Sequence, residues 1–484
     1  MASPPDASGG PTVGRPDVRP SADALTVLTR LWEGGHAAYL VGGGVRDQLL
    51  GRPVHDEDIA SDALPERVLE LFPSGRQRGA FGTVDIEGVQ VTTFRRDHTY
   101  ADHRRPDSVT FTTTVEEDLA RRDFTINALA WGTAGTGAAA PGVAEPRLID
   151  PTHGLPDLDA RLLRAVGDPD LRFQEDALRL MRGVRLAATL GFAIEAGTLA
   201  AMGRRGGDVR WLSAERVGEE LRRMLDAPQP SVAIRHLDAM GALAPILPEV
   251  TGQHGVPQAK IPGDDLFDHS MRAMDAAASL EGTSPPLVMA GLLHDIGKPA
   301  TAADGHFIGH PEVGALMARE ALVRLRMPAT LVDRVARLIH EHMFQFRPAW
   351  TDAAVRRFLR RVGLDLVDDL LLLRVADDIG SGIVPGPDLA TLRARVDAQR
   401  QARPPLSLAE LAVDGTDLLR EAALPPGPWV GTYLQRLLAS VVNDPRRNRR
   451  EVLLADVRRW LAASDAMRPA TDGQATDATP SGFL

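Results

Sequence analysis

Residues 39–62 read YLVGGGVRDQLLGRPVHDEDIASD, and this stretch decides the fold of the N-terminal part of the chain. The apolar run from Ala37 to Val41 predicts a β-strand that ends at Gly42-Gly43-Gly44, where missing side chains let backbone N–H groups approach an anion. Val45 to Leu50 predict a short helix whose N-terminus faces the same anion, and Arg46 adds a forked donor. We therefore expect a phosphate-binding loop after the first strand.

An acidic strand is expected to follow this loop. Val54 to Ala60 predict the strand, and because alternate side chains share a face, Asp56 and Asp58 should project together while Glu57 points away. Two carboxylates beside a phosphate cradle suit Mg²⁺, which is usually shared between carboxylates and phosphate oxygens. A pair of such ions, about 3.5 to 4 Å apart, can activate a hydroxyl and stabilise departing pyrophosphate. The stretch therefore points to nucleotidyl transfer.

These residues resemble a known signature. Gly42 to Asp47, followed by Asp56-Glu57-Asp58, is similar to the first motif of the class II tRNA nucleotidyltransferase and poly(A) polymerase family, within the DNA polymerase β superfamily. Later motifs extend the resemblance over most of residues 23 to 460, and the chain resembles bacterial, actinobacterial-like members. The family usually has no acidic residue at the position of Glu57. The resemblance implies that Asp56 and Asp58 are catalytic and hold Mg²⁺.

The segment from Arg121 to Ala128 carries the next candidate site residues. Arg121 and Arg122 offer charged donors to a triphosphate, while Asp123 and Asn127 offer acceptors to a ribose hydroxyl. Read alone, Arg-Arg-Asp on a helix is more often a surface ion pair, but the whole eight-residue string resembles the family's second motif. The polar loop from Arg95 to Asp107 resembles the segment that the family uses in switching from C to A addition.

A third set of residues suits base recognition. A carboxylate that accepts from an exocyclic amine and a guanidinium that donates to a ring nitrogen fit cytosine and adenine, and not uracil or guanine. The family's Glu-Asp-x-x-Arg motif is matched by Glu175, Asp176 and Arg179, so the resemblance implies that they select CTP and ATP. The alternative is a salt bridge on a helix surface, since Glu175 and Arg179 stand four residues apart. Ala214 to Glu219 resemble a fifth, supporting motif.

Histidines and aspartates form a second constellation in the C-terminal half. Packed helices that bring imidazoles and carboxylates together suit a divalent metal that polarises a phosphoryl oxygen and activates water. The order of these residues resembles the HD phosphohydrolase superfamily. The resemblance implies ligands at His269, His294, Asp295 and Asp377, with His310 and His340 available for a second ion. Mn, Ni, Fe and Mg are all candidates for this metal, and hydrolytic activity is left open.

Composition narrows the class of protein. The 484 residues contain no cysteine, which excludes disulfides and thiolate metal sites, and the net charge of −10 argues against a general nucleic-acid binder. Lys260 and Lys298 are the only lysines, so positive charge is almost entirely arginine, gathered in short groups that can form a basic strip. No apolar run approaches the length of a membrane span, and Met1 to Pro20 lacks the apolar segment of a secretory signal. We expect a cytoplasmic protein.

The fold class expected is α+β, with an antiparallel-type sheet and helices in the head, followed by an elongated all-α neck, HD domain and tail. The predicted segments are a disordered tail, head, neck, HD domain, RNA-binding tail and disordered end, at residues 1–20, 21–150, 151–240, 241–385, 386–463 and 464–484.

The function expected is addition or repair of the tRNA 3′-terminal CCA from CTP and ATP, with tRNA as partner and no membrane. Poly(A) polymerase is the runner-up, disfavoured because Ala80-Phe81-Gly82-Thr83 stands where bacterial poly(A) enzymes resemble one another in a Gly-Arg-Arg-Phe element. Partial enzymes that add only CC or only A are a further alternative. An HD metal phosphohydrolase with a non-catalytic RNA-binding head is the alternative of another class.

Overall fold

The structure is a computed structural model that describes residues 17–54, 56–78, 82–97, 109–135, 145–258, 261–422 and 424–465. The predicted disordered ends and the predicted C-to-A loop fall largely outside these ranges. The chain divides into two compact units, Met1–His340 with Ala376–Gly382, and Glu341–Val375 with Ile383–Leu484. This division is coarser than the six predicted segments, whose boundaries stay predictions.

The strands of the described residues all lie in the first unit. They are β1 (Ala38–Val41), β2 (Asp58–Ser61), β3 (Arg76–Arg78), β4 (Thr83–Ile86), β5 (Val89–Thr93), β6 (Arg95–Asp97), β7 (Val109–Phe111), β8 (Ala130–Thr133), β9 (Arg147–Ile149), β10 (Leu162–Leu163) and β11 (Ala193–Ile194). Seven of the described strands form one sheet in the order β3-β4-β5-β2-β1-β8-β9. Only β2 and β5 pair in parallel within it, so the predicted antiparallel-type sheet is confirmed.

Both faces of the central strands are covered. Residues of helix α1 (Ala22–Glu33) and Ile59 share one apolar cluster, whereas Ala60 belongs to a second cluster with Leu119. Because neighbouring residues of a strand face opposite sides, Asp58 lies on the same side of the sheet as Ala60. The apolar core therefore fixes the direction in which the acidic end of β2 points.

Helices make up most of the rest of the first unit, where β10 and β11 form a short two-stranded sheet. Those of the head and neck are α2 (Gly43–Leu49), α3 (Pro65–Leu71), α4 (Val115–Ala120), α5 (Gly154–Asp159), α6 (Pro169–Glu175), α7 (Leu178–Leu190), α8 (Ala196–Arg205), α9 (Ala214–Met224), α10 (Ser231–Ala239), α11 (Leu243–Ile246) and α12 (Pro248–Thr251). Then come α13 (Leu266–Ser279), α14 (Pro285–Leu293), α15 (Lys298–Thr301), α16 (His310–Arg324) and α17 (Ala329–Glu341). The predicted α+β class is confirmed.

The second unit contains helices alone among its described residues. They are α18 (Asp352–Val362), α19 (Val367–Gly380, whose end belongs to the first unit), α20 (Pro387–Ala402), α21 (Gly415–Glu421), α22 (Trp429–Asn443) and α23 (Arg450–Asp465). Residues of α21, α22 and α23 share an apolar cluster that includes Leu418, Leu437 and Leu453. Within the described part of the chain, no helix combines the length and the apolar character needed to cross a membrane.

Two predicted elements differ from the structure. The acidic strand begins at Asp58 and not at Val54, because the preceding residues pack against α2: a Cβ added to Gly44 would lie 3.1 Å from the Asp56 carbonyl oxygen. The helix expected to continue through Glu175 and Arg179 is broken at Asp176, whose backbone is extended at φ −150° and ψ 106°. The Asp176 carboxylate accepts from Leu178 N at 3.0 Å, which favours a new helix start there.

Candidate functional site

The glycine bend joins β1 to α2 and touches the second motif. Gly42 has a φ of 72°, which favours glycine, and a Cβ there would lie 2.9 Å from Nη1 of Arg122. Gly43 begins α2 and packs near the Arg46 guanidinium. Because Gly44 packs on the backbone of Asp56, the bend lies directly beside the acidic segment. Gly42 and Gly44 are thus required because Arg122 of the second motif and the backbone of Asp56 approach the bend closely.

The two aspartates lie at the open end of β2, where strand pairing sets Asp58 opposite Val41. Both are exposed to solvent. The protein around Asp58 nevertheless raises the pKa of its carboxyl through desolvation, and the neighbouring Asp56 charge adds to the rise, although Arg122 opposes it. Two carboxylates that repel each other beside a phosphate cradle are a donor set that fits a hard cation such as Mg²⁺.

Glu57, the residue between them, faces elsewhere. Its carboxylate accepts from Ser21 N at 3.2 and 3.1 Å and from Gln48 Nε2 at 3.2 Å. These contacts attach it to the start of α1 and to α2. The additional acid therefore supports the packing of the acidic segment and does not join the pair.

Both arginines of the second motif are held by Asp118, a buried residue that the sequence reasoning did not single out. Arg121 Nη2 lies 2.7 Å from Asp118 Oδ1, and Arg122 Nη2 lies 3.2 Å from Oδ2. Burial raises the pKa of Asp118, but the two guanidinium groups outweigh it and the pKa is lowered. One buried carboxylate thus holds two cations at the end of α4, next to Gly42.

Asp123, Asn127 and Arg46 form a hydrogen-bonded series that returns to the glycine bend. Asp123 Oδ1 accepts from Phe124 N at 2.8 Å and from Asn127 Nδ2 at 3.1 Å. Asn127 Oδ1 in turn accepts from Arg46 Nη1 at 2.5 Å, and Arg46 makes a two-pronged ion pair with Asp47 at 2.9 Å for each oxygen. All the sequence-predicted nucleotide-binding residues of the head are therefore brought together.

The third set approaches the head through Arg179. Its Nη2 donates to the backbone carbonyl of Arg121 at 3.2 Å, and its Nη1 pairs with Glu175 across the break between α6 and α7. Asp176 is paired with Arg216 at 2.6 Å. The i, i+4 ion pair of Glu175 and Arg179 forms, but its members belong to two helices.

Arg182 is a further residue that sequence reasoning missed. Its Nε lies 2.8 Å from Asp123 Oδ2. Burial raises the pKa of Asp123, yet Arg182 and hydrogen bonds such as that from Asn127 prevail and lower the pKa from 3.8 to about 2. The spacing Arg-x-x-Arg at residues 179 and 182 was the available signal, because both side chains fall on one face of α7.

The histidine cluster, defined as His269, His294, Asp295, His310 and Asp377, lies where α13, α14, α16 and α19 meet, and its first four members are buried. Nε2 of His269 lies 3.1 Å from Nε2 of His294 and 3.3 Å from Asp377 Oδ1. Asp295 approaches His294 Nε2 at 3.2 Å and His310 Nε2 at 3.3 Å. These atoms surround one small volume.

Close helix packing creates this cluster. A Cβ added to Gly291 would lie 3.0 Å from the carbonyl oxygen of Ala273, and one added to Gly380 would lie 2.9 Å from Ala273 N. Helices α14 and α19 therefore both press on α13 one turn beyond His269. Glycine at these two positions lets the ligand-bearing helix ends converge.

The donor set of the cluster fits a divalent metal. Nδ1 of His294 lies 3.0 Å from the Gly291 carbonyl oxygen, and Nδ1 of His310 lies 2.7 Å from that of Phe307. When each Nδ1–H donates to its carbonyl, the Nε2 lone pair is directed into the cluster, as for metal-bound histidine. Burial lowers the pKa of His269 and so favours the neutral ring that a metal requires, although Asp377 opposes it.

Lys298 contacts the histidine cluster, whereas His340 lies outside it. Lys298 Nζ lies 2.6 Å from Asp295 Oδ2, with its side chain 12 % exposed, and 5.6 Å from the centre of the Phe307 ring. The expectation that His340 binds a second ion stays a prediction: within the described residues, neither group of potential ligands includes it. It projects to solvent near the end of α17, whereas His342 is the buried histidine of the pair.

Family models match three parts of the chain. "Poly A polymerase head domain" matches residues 38–164, "Probable RNA and SrmB- binding site of polymerase A" matches residues 191–253, and "HD domain" matches residues 266–380. The first covers the glycine bend, the aspartates and the second motif. The last covers the whole histidine cluster.

Full-length relatives are also similar. The CCA-adding enzyme of Geobacillus stearothermophilus is 33% identical over 455 residues, covering 93% of this chain and 98% of its own. That of Levilactobacillus brevis is 35% identical over 442 residues, covering 90% and 96%. The crystal structure of the Bacillus stearothermophilus CCA-adding enzyme in complex with CTP has a TM-score of 0.64 at 30% identity, covering 92% of this chain and 98% of its own. The chain therefore belongs to the CCA-adding enzymes, a family of tRNA nucleotidyltransferases.

Proposed function

We propose that this protein adds or repairs the 3′-terminal CCA of tRNA, using CTP and ATP without a nucleic-acid template. The observation that carries the proposal is the hydrogen bond from Arg179 to the Arg121 carbonyl at 3.2 Å. It brings the base-reading segment of the neck to the triphosphate-binding motif of the head. A nucleotide bound at the glycine bend would present its base to Asp176 and Arg179.

Asp56 and Asp58 would hold Mg²⁺ at the end of β2, since their oxygens are the hard donors that this ion prefers. When bound, the metal supplies a Lewis acid that activates the RNA 3′-hydroxyl and stabilises departing pyrophosphate. The protein side chains hold the α-phosphate in line with that hydroxyl. The exposure of both aspartates leaves room for an RNA end to approach.

Cationic side chains would bind the triphosphate. Arg46, Arg121 and Arg122 border the bend, and each is anchored by a carboxylate, so their positions are set before the nucleotide arrives. Gly43, the first residue of α2, would offer its backbone N–H to a phosphate oxygen, whereas the N–H of Gly42 donates to the Leu129 carbonyl at 3.1 Å. Asp123 and Asn127 would be acceptors for the ribose in addition to the donors that their oxygens already hold.

Base selection is assigned to the residues at the break between α6 and α7. Asp176 would accept from the exocyclic amine of cytosine or adenine, and Arg179 would donate to a ring nitrogen. Glu175 holds Arg179 in place through their ion pair. Uracil and guanine present the opposite pattern, so the same pair disfavours UTP and GTP.

A tRNA lacking its CCA, offered CTP, ATP or both, tests the proposed function. We expect two cytidines with CTP alone and the full CCA with both nucleotides, after which addition stops. Long adenosine tails would favour the poly(A) polymerase alternative, and products ending in CC with both nucleotides would favour a partial enzyme. Because its RNA substrate is cytoplasmic, we propose a cytoplasmic location, which a fluorescent fusion would test.

A second activity is proposed for the histidine cluster because its donor set fits a metal. His269, His294, Asp295 and Asp377 would hold a divalent ion, with Mn, Ni, Fe and Mg as candidates, and His310 lies beside Asp295 for a further one. Such an ion activates water for attack on a phosphoester. A phosphodiesterase assay with 2′,3′-cyclic nucleotides, repeated with each metal and with the His294→Ala variant, tests this activity. Hydrolysis that persists in the variant would contradict it.

A further inference from the structure

Helix α7 touches the second motif at two points on the same face. Arg179 and Arg182 are three residues apart, so their side chains project in the same direction. Arg179 reaches the backbone carbonyl of Arg121, and Arg182 reaches the carboxylate of Asp123. The proposed function gives Arg179 a role in reading the base. The proposed function gives Arg182 no role.

Arg182 is the charge partner of one particular oxygen. Its Nε lies 2.8 Å from Oδ2 of Asp123, a residue that is only 7 % exposed. The other oxygen, Oδ1, accepts from Phe124 N and Asn127 Nδ2. Among the described residues Oδ2 makes no hydrogen bond, so its ion pair with Arg182 is what compensates the buried charge on that side.

The contact continues to the glycine bend. Asp123 fixes Nδ2 of Asn127, which leaves the Asn127 side-chain oxygen turned to Arg46 at 2.5 Å. Arg46 belongs to α2, the helix that begins within the bend. An unbroken series of polar contacts therefore leads from α7, which carries the base-reading arginine, to the triphosphate cradle.

We propose that Arg182 is a positioning residue for nucleotidyl transfer, which through Asp123 and Asn127 sets the Arg46 guanidinium against the incoming triphosphate. The proposal rests on the proposed function for its assay. In this proposal, the position of α7 of the neck relative to the head affects how the nucleotide is bound. It also explains an arginine placed one turn beyond the base-reading arginine.

A neighbour on the same helix provides a matched control. Arg185 Nε lies 2.7 Å from Oε2 of Glu220, and Glu220 is only 4 % exposed. Loss of either arginine leaves one buried carboxylate without its ion pair, so both variants carry a comparable structural penalty. Only the Arg182 pair leads to the head. A purely structural role predicts equal effects from the two changes.

The experiment compares R182A, R185A and R182K in steady-state CCA addition and in calorimetric binding of CTP with Mg²⁺. We expect R182A to lower kcat/KM for both CTP and ATP about 100-fold, the scale of a misplaced binding group, with weakened CTP binding. R185A should match R182A in thermal stability and keep kcat/KM within about twofold of the wild type. R182K restores the charge without the planar fork and should recover part of the loss.

Free guanidinium gives a readout that a structural defect does not move. It should fit the space left in R182A and raise its activity at millimolar concentration, with no effect on R185A. Equal losses in R182A and R185A, or an R182A variant that binds CTP like the wild type, would overturn the proposal. Failure of the wild-type protein to extend tRNA would instead reject the proposed function, while the CTP titration still tests Arg182.

Discussion

The acidic pair of the head and the histidine cluster both offer donors to cations, but they are built in opposite ways. Asp56 and Asp58 lie exposed at the end of a strand and repel each other. His269 and His294 are 1 % and 0 % exposed, enclosed by helices that converge through glycines. The open site depends on ligands to balance its charge, whereas the closed one is balanced by its own members. Changes in the first should affect catalysis, and changes in the second should affect metal content and folding.

The largest effect is expected from Asp58→Asn. This change keeps the size of the side chain but removes a charge needed for the reaction, so CCA addition should fall by at least about 10³-fold. Because Asp58 is exposed, the melting temperature should stay within about 2 °C of the wild type. Steady-state incorporation and calorimetry measure the two effects. Turnover near the wild-type rate would remove Asp58 from the catalytic site.

Arg179→Met should lower kcat/KM for CTP and ATP by about 100-fold, since one hydrogen bond to the base and its ion pair with Glu175 are lost. The kcat/KM values for UTP and GTP, which that bond disfavours, should fall far less. The preference for CTP over UTP should therefore decrease. Competition between CTP and UTP on one tRNA measures this ratio. Arg204→Met is the control, because Arg204 is an exposed arginine paired with Asp170. An unchanged CTP/UTP ratio in R179M would contradict the assignment.

Asp123 should make folding stability depend on acid pH. Its pKa is about 2 in the folded protein against 3.8 as the ordinary value, so the group stabilises the fold above pH 3.8 and this stabilisation is lost as pH falls through the folded value. The shift corresponds to about 2 to 3 kcal/mol at neutral pH, with about half of it gone by pH 3. Urea unfolding of wild type and D123N should show their difference shrinking on acidification. A difference that stays constant would refute the shift.

The smallest effect on nucleotidyl transfer is expected from His294→Asn. CCA addition should stay within about twofold of the wild type, because the cluster and the head site lie on separate elements of the first unit. After dialysis, the variant should retain less divalent metal per protein than the wild type, because the ion of the histidine cluster is lost. Mass spectrometry measures this metal content. Loss of CCA addition at an unchanged melting temperature would show that the two sites are not independent.

Much of the site could be predicted because each motif is local. The glycine bend after β1 and the separation of Glu57 from the two aspartates follow from a few neighbouring residues, and the structure has both, although only Asp58 of the three acids lies in the strand. The break at Asp176 was missed, because a side chain that caps a new helix leaves the apolar spacing of the surrounding helix unchanged.

Long-range partners could not be predicted. The contacts of Arg182 with Asp123 and of Arg216 with Asp176 join residues far apart in the sequence, and their identity is set by how α7 and α9 pack. The burial of His342 and the exposure of His340 could not be predicted for a similar reason: the two residues lie less than one helical turn apart, and only tertiary packing decides which one is buried. The local sequence pattern thus predicts which chemical groups form the site, whereas tertiary packing determines which of these groups pair with one another.

Lys298 has a practical consequence. The protein contains two lysines, and one of them holds Asp295 inside the histidine cluster. Amine-reactive esters therefore modify very few side chains in this molecule, so peptide mapping can follow the acylation of Lys298 against that of Lys260. Since a carboxylate and the fold shield its ammonium group, the labelling rate at this position reports opening of the cluster, and the many arginines are inert to the reagent.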